Sequence, residues 1–265
     1  MTARCGAFVG TVLLALLSWC SHAAASDAIE TIARVKRSIV AVGTYEQGRA
    51  PPFQFRGTGF VVGDGTTIVT NAHVLPAFTD PVHRESLAIL VPHGVDEAHV
   101  REGKVVAIDA GSDLAVIGLR GAPLPPLALH DADDVREGQS VLMTGFPIGA
   151  VLGAFPVTHR GMISAITPIV IPQGRAADLD PAVVRRLTAG SFPVLQLDAT
   201  AYPGNSGSPI YDPATGDVLG IVNMVFVKGT KEAALSQPSG ITYAVPVQHL
   251  QALLRKAAQE VSVRK

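Results

Sequence analysis

Cysteine is all but missing from this chain. Its 265 residues include only Cys5 and Cys20, and both lie in a segment expected to be removed. Disulfides therefore cannot hold the fold, even in an oxidising compartment. Stability has to come from a packed core, which roughly 240 residues can supply. An excess of charge of either sign is also missing: the formal net charge is −1 and charged residues make up 16%. That excludes a broad electrostatic footprint, so nucleic acid is not an expected partner. With 48% apolar residues, the composition is neither disordered nor fibrous. Strand–helix alternation is absent, which disfavours a parallel sheet. No internal repeat is visible.

Long apolar runs are missing as well, save one. Gly6 to Trp19 is apolar but too short for a comfortable membrane span. Arg4 precedes it and Ala23-Ala24-Ala25 follows it, so residues 1–25 read as a secretory signal with the mature chain starting at Ser26. Removal takes Arg4 and no acid, moving the formal charge from −1 to about −2. An uncleaved anchor is one alternative. Lipid attachment at Cys20 is another, since Leu17-Ser18-Trp19-Cys20 faintly resembles a lipobox, but bulky Trp19 argues against it. The expectation is an exported chain, periplasmic or secreted, without stable membrane insertion after cleavage.

Glycine (26) and proline (19) are plentiful, which suits many short strands joined by turns. Apolar positions 29, 32 and 35 suggest a short helix over Ile29–Arg37. Strands are expected at 38–45, 57–63, 66–70, 87–91, 104–109 and 114–119. Gly63-Asp64-Gly65 marks a hairpin between the second and third of them. Pro123, Pro125 and Pro126 then suggest a linker. A second group follows at 140–146, 157–167, 194–199, 208–212, 218–227 and 240–245, closed by a helix over 247–259. Pro168 to Pro193 reads as an insertion. Regularly spaced short strands point to a sandwich or barrel.

Gly204-Asn205-Ser206-Gly207-Ser208-Pro209 is the segment with chemistry in it. A serine hydroxyl is a weak nucleophile until a histidine takes its proton, and that histidine needs a partner to fix its tautomer. Glycines on both sides of Ser206 permit the tight turn that aims backbone N–H groups at an oxyanion. The same composition also makes an ordinary β-turn, so the hexapeptide alone decides nothing. Two other segments do more. Thr70-Asn71-Ala72-His73-Val74 sets a histidine after a β-rich run, and Ser112-Asp113-Leu114-Ala115-Val116 opens another apolar strand with an acid. The order His73, Asp113, Ser206 is that of chymotrypsin-type hydrolases. An α/β-hydrolase would run serine, acid, histidine and would carry Gly-x-Ser-x-Gly, which Ser208 breaks.

On these residues the chain resembles the protease domain of the HtrA (Deg) family, within the trypsin-like superfamily. The matching segments are Gly57-Thr58-Gly59-Phe60, Thr70 to Val74, Asp113 to Val116, Gln196-Leu197-Asp198-Ala199, Gly204 to Gly207 and Gly240 to Pro246. The resemblance implies an all-β fold of two six-stranded antiparallel β-barrels, chymotrypsin-like, with a C-terminal α-helix. Residues 26–265 would then form one protease domain: barrel one over about 38–122, barrel two over about 127–245 and the helix over 247–259. It implies a serine endopeptidase in which Ser206 attacks, His73 is the base, Asp113 orients His73, and the N–H groups of Gly204 and Ser206 form the oxyanion hole. No cofactor and no metal are expected. The implied partners are polypeptide substrates, with a homo-oligomer, a trimer, as a further possibility.

The chain departs from the family pattern in three respects. It ends at Lys265, so a PDZ module is not expected. Ser208 stands where the family usually has glycine, which reduces the loop's freedom. The Pro168–Pro193 stretch has no clear counterpart. In trypsin-like enzymes that cut after Lys or Arg an acid lies six residues before the serine; here that position is Thr200. Thr200, Ala201 and Asn223 are expected to line the pocket, which predicts cleavage after small or aliphatic residues. His83, His93 and His99 match no tight ligand spacing and read as part of a solvated loop. Phe53 and Phe55 read as core or as a trimer-interface pair, and Asp131, Asp133 and Asp134 as a surface turn. A peptide-capturing protein that has lost turnover is the competing function.

Overall fold

The computed structural model describes residues 28–77, 85–93, 97–131, 134–149, 155–168, 192–223 and 240–263. The expected signal segment, most of the Pro168–Pro193 insertion, His83, Asp133, Met224 and Val225 lie outside the described residues.

β1 (Ile39–Tyr45), β2 (Phe53–Val62), β3 (Thr67–Asn71), β4 (Ser86–His93), β5 (Glu97–Asp109) and β6 (Leu114–Leu119) close into one barrel, in the order β1-β2-β3-β6-β5-β4. β7 (Ser140–Gly145), β8 (Val157–Pro168), β9 (Pro193–Asp198), β10 (Pro209–Tyr211), β11 (Val218–Val222) and β12 (Ile241–Pro246) close into a second, in the order β10-β11-β12-β9-β8-β7. All strand pairs within the barrels are antiparallel. Residues 28–36 form helix α1, and Val247–Val263 form helix α2. The two barrels and closing helix match the expected architecture.

Three apolar clusters hold the molecule together. Val40, Val42, Val61, Ile68, Ile89 and Ile117 fill barrel one. Val141, Met143, Ile163, Leu197, Ile210 and Leu219 fill barrel two. Ile39, Phe60, Leu114, Phe146, Tyr211 and Leu250 belong to a third cluster that draws on both barrels and α2. β1 shows the consequence for patterning. Its odd and even residues serve different clusters, so both faces are buried and the strand reads as a continuous apolar run.

The Pro-rich stretch is stitched to both barrels. Leu127 bridges Val62 and Leu129 bridges Val218, both in parallel. The largest difference from the sequence expectation is β5, which begins at Glu97 rather than Lys104. Its first half, Glu97 to Gly103, carries polar residues between single apolar ones and pairs as a hairpin with β4. His93 and His99 therefore lie on strands, not in a loop. The remaining boundaries shift by a few residues: β2 reaches back to Phe53, and α2 continues past 259 to Val263. Among the described residues no helix is long and apolar enough to cross a membrane.

Candidate active site

β3 ends in Asn71, and a single 3-10 turn, Ala72–Val74, carries His73 off the end of the strand. The turn is anchored to Asp113. Ala72 N–H donates to the Asp113 carbonyl at 2.9 Å, and Asn71 Nδ2 donates to the same oxygen at 3.1 Å. Asp113 precedes β6 with φ of 57°, a left-handed conformation that aspartate tolerates better than most residues. The preceding Ser112 is tied back to Asp109 Oδ2 by its hydroxyl at 2.6 Å.

Asp113 holds His73 twice. His73 N–H donates to Oδ1 at 2.9 Å, and His73 Nδ1 lies 2.6 Å from Oδ2. A proton on Nδ1 satisfies the carboxylate and leaves Nε2 free to accept. Nε2 faces Ser206 Oγ at 2.9 Å. The structure thus brings together the three residues singled out by their order in the sequence, in one unbroken hydrogen-bonded line across the two barrels.

Ser206 sits in a turn of barrel two, between β9 and β10. Asn205 N–H donates to Tyr202 O at 2.9 Å, and Ser208 N–H to Asn205 O at 3.0 Å. Gly204 has φ of 104°, and a Cβ there would stand 2.3 Å from the Phe146 carbonyl, so only glycine fits. Among the described residues, the N–H groups of Gly204 and Ser206 have no hydrogen-bond partner. Phe55 packs beside this turn. Its ring meets Phe146 edge-on at 6.2 Å and abuts Gly149 and Gly204. Ser208 is fully buried and does fit, but only because Gly145 lies opposite: a Cβ on Gly145 would come within 1.9 Å of the Ser208 hydroxyl.

Among the expected pocket residues, Thr200 is half-buried, and Ala201 packs into the interior cluster of barrel two. Asn223 requires a correction. It is fully buried, and its Nδ2 donates to Asp113 Oδ2 at 2.9 Å, so its side chain serves the acid rather than a pocket wall. Nothing in the sequence around Asn223 signals this, because the pairing spans 110 residues. Asn71 was in plain view beside His73, but its bond to the Asp113 backbone is likewise a product of the β3–β6 register. Elsewhere, burial lowers the pKa of His159, whose ring approaches Tyr202 at 6.3 Å, and burial raises that of Tyr211.

A family described as the trypsin-like peptidase domain matches residues 57–221. The chain is 29% identical over 201 residues to a probable periplasmic serine endoprotease DegP-like from Halomonas elongata, covering 76% of this chain and 35% of that protein. It is 28% identical to the putative serine protease HhoB of Synechocystis over 76% of this chain and 40% of the relative. Protease Do-like 5, chloroplastic, from Arabidopsis thaliana, is 29% identical over 72% of this chain and 53% of its own length. The chain thus spans only part of the curated relatives it matches. The crystal structure of Deg5 superposes with a TM-score of 0.59 at 24% identity, over 86% of this chain and 91% of that one, and shares its fold. By the span of the family match, borne on two barrels of the same architecture, this chain belongs to the trypsin-like peptidase family, with HtrA-type proteases as its kin.

Proposed function

We propose that the protein is a serine endopeptidase using Ser206, His73 and Asp113. Ser206 Oγ attacks the scissile carbonyl while its proton passes to His73 Nε2. The new Oγ–C bond gives a tetrahedral intermediate, whose oxyanion the N–H groups of Gly204 and Ser206 receive. As the C–N bond breaks, His73 returns the proton to the leaving amine. A water, deprotonated by His73, then hydrolyses the acyl-enzyme. Asp113 holds the imidazole in the required tautomer and stabilises its charged form without taking the proton. What carries this reading is the hydrogen-bond line from Asp113 Oδ2 through His73 to Ser206 Oγ, at 2.6 and 2.9 Å.

The substrates are exported polypeptides, unfolded or partly unfolded. This rests on the signal-like segment and on the periplasmic names of relatives. Thr200 in place of an acid favours small or aliphatic residues before the scissile bond. The test is cleavage of unfolded casein by the purified protein, with Ser206→Ala as control. Cleavage that disappears in the variant supports the reading. A folded wild-type protein that binds casein without cutting it overturns the reading in favour of peptide capture. A dominant Lys or Arg preference in library profiling would overturn the specificity alone.

A further inference from the structure

Thr58 lies in mid-strand on β2, fully buried, and belongs to barrel one. Yet its contacts reach the Ser206 turn of barrel two. Its N–H donates to the Ser206 carbonyl at 2.9 Å, and its hydroxyl donates to the Gly204 carbonyl at 2.8 Å. The same hydroxyl accepts the Phe146 N–H at 3.0 Å. The Thr58 carbonyl accepts the hydroxyl of Thr70, on the strand that carries His73, at 2.7 Å. A Cβ on Gly207 would stand 2.1 Å from that carbonyl.

Gly204 and Ser206 are the two residues whose N–H groups are assigned to the oxyanion, and Thr58 holds the carbonyl of each. Backbone bonds from Gly207 N–H to Val222 O at 3.0 Å and from Val222 N–H to Ser208 O at 2.8 Å fix the later part of the turn, whereas the carbonyls of Gly204 and Ser206 are held by Thr58. Gly204 and Gly207 have positive φ, and glycine samples alternatives freely. Asn205, between the two donors, is fully buried, and among the described residues neither its Oδ1 nor its Nδ2 has a partner. The Ser208 hydroxyl is in the same position. Buried polar groups without partners favour rearrangement, so an external anchor decides which conformation persists.

We infer that Thr58 is a positioning residue for the oxyanion hole: its hydroxyl pins the Gly204–Asn205 peptide and thereby the aim of the Gly204 N–H. This rests on the endopeptidase reading above. A donor misplaced by a fraction of an ångström loses much of an effect worth about 100-fold in rate. The hydroxyl acts on the transition state, so its loss falls on kcat rather than KM.

The test compares Thr58→Val, isosteric without the hydroxyl, with Thr58→Ser, which keeps it. A fluorogenic peptide with an aliphatic residue before the scissile bond gives kcat and KM, and fluorophosphonate gives the rate of covalent capture. Thr58→Val is expected to lower kcat and the capture rate by about 30-fold with KM within about 2-fold, and Thr58→Ser to stay within about 3-fold of wild type. If Thr58→Val does not fold, Thr58→Ala takes its place. Wild-type kcat in the hydroxyl-free variant overturns the inference, and so does a Thr58→Ser variant that loses as much as Thr58→Val, since packing would then be the cause. A wild-type protein with no Ser206-dependent capture instead overturns the endopeptidase reading itself. The two failures are read from different samples.

Discussion

The two halves of the site differ in how many side-chain bonds hold them. The acid–base half, on barrel one, is over-determined. Asp113 receives bonds from His73 N–H, His73 Nδ1 and the amide of Asn223 on its carboxylate, and from Ala72 and Asn71 on its backbone carbonyl. The nucleophile half, on barrel two, is under-determined from within. Its turn relies on two glycines in left-handed conformations and encloses the Asn205 side-chain amide, which has no partner among the described residues. Backbone bonds to Tyr202 and Val222 hold its frame, and Thr58, from the other barrel, holds the carbonyls of Gly204 and Ser206. The charge that must stay put is caged by several donors, one of them, Asn223, reaching it from the end of β11 in barrel two. The turn that must present two N–H groups outward is steadied from across the barrel interface.

The comparison can be broken most forcefully at its ends. Ser206→Ala should reduce kcat about a million-fold, the loss that follows removal of a triad serine, and the variant should still fold, as circular dichroism would read. Asp113→Asn should cost about ten-thousand-fold in kcat, because an amide favours the wrong histidine tautomer; the protein should still fold, and steady-state kinetics would read the loss. A smaller effect sharpens the contrast. Asn223→Leu removes one of several bonds to Asp113, so kcat should fall by only about 10-fold. If that loss exceeded the loss from Thr58→Val, the acid–base half would be the fragile one.

The smallest expected effect lies outside the site. Burial depresses the pKa of His159, and of His249 despite the opposing charge of Asp109, below the ordinary 6.5. The unfolded chain therefore binds more protons than the folded one as pH falls below about 6.5, so stability declines from there downward. The Tm at pH 5 should lie about 3 °C below that at pH 7, measured by calorimetry, and His159→Phe should flatten part of the slope.

Much of this was legible in the sequence, for reasons that differ by residue. β6, Leu114–Leu119, is an apolar run bounded by turn residues, and its limits match the expectation. His73, Asp113 and Ser206 each carry chemistry-bearing side chains in a meaningful order, and the structure brings them within hydrogen-bonding reach. The first half of β5 was unreadable because its partner strand, not its own pattern, makes it a strand. Asn223 departs from its expected place in the pocket for the same kind of reason. Its neighbours are small and apolar, which suggests a pocket, but its side chain turns to a carboxylate 110 residues away. Thr58 stands in plain sight inside Gly57-Thr58-Gly59-Phe60, yet its bond to Gly204 spans 146 residues. Local pattern reports strands and motifs; it cannot report which buried polar atoms meet across a closed barrel.

The most direct test of the central claim is covalent capture at a named atom. The folded protein, treated with a fluorophosphonate at neutral pH, should gain one adduct mass. Peptide mapping should place it on Ser206, and Ser206→Ala should gain none. A folded wild-type protein with no adduct, or an adduct that persists on another residue in the variant, would contradict the account that His73 and Asp113 activate Ser206.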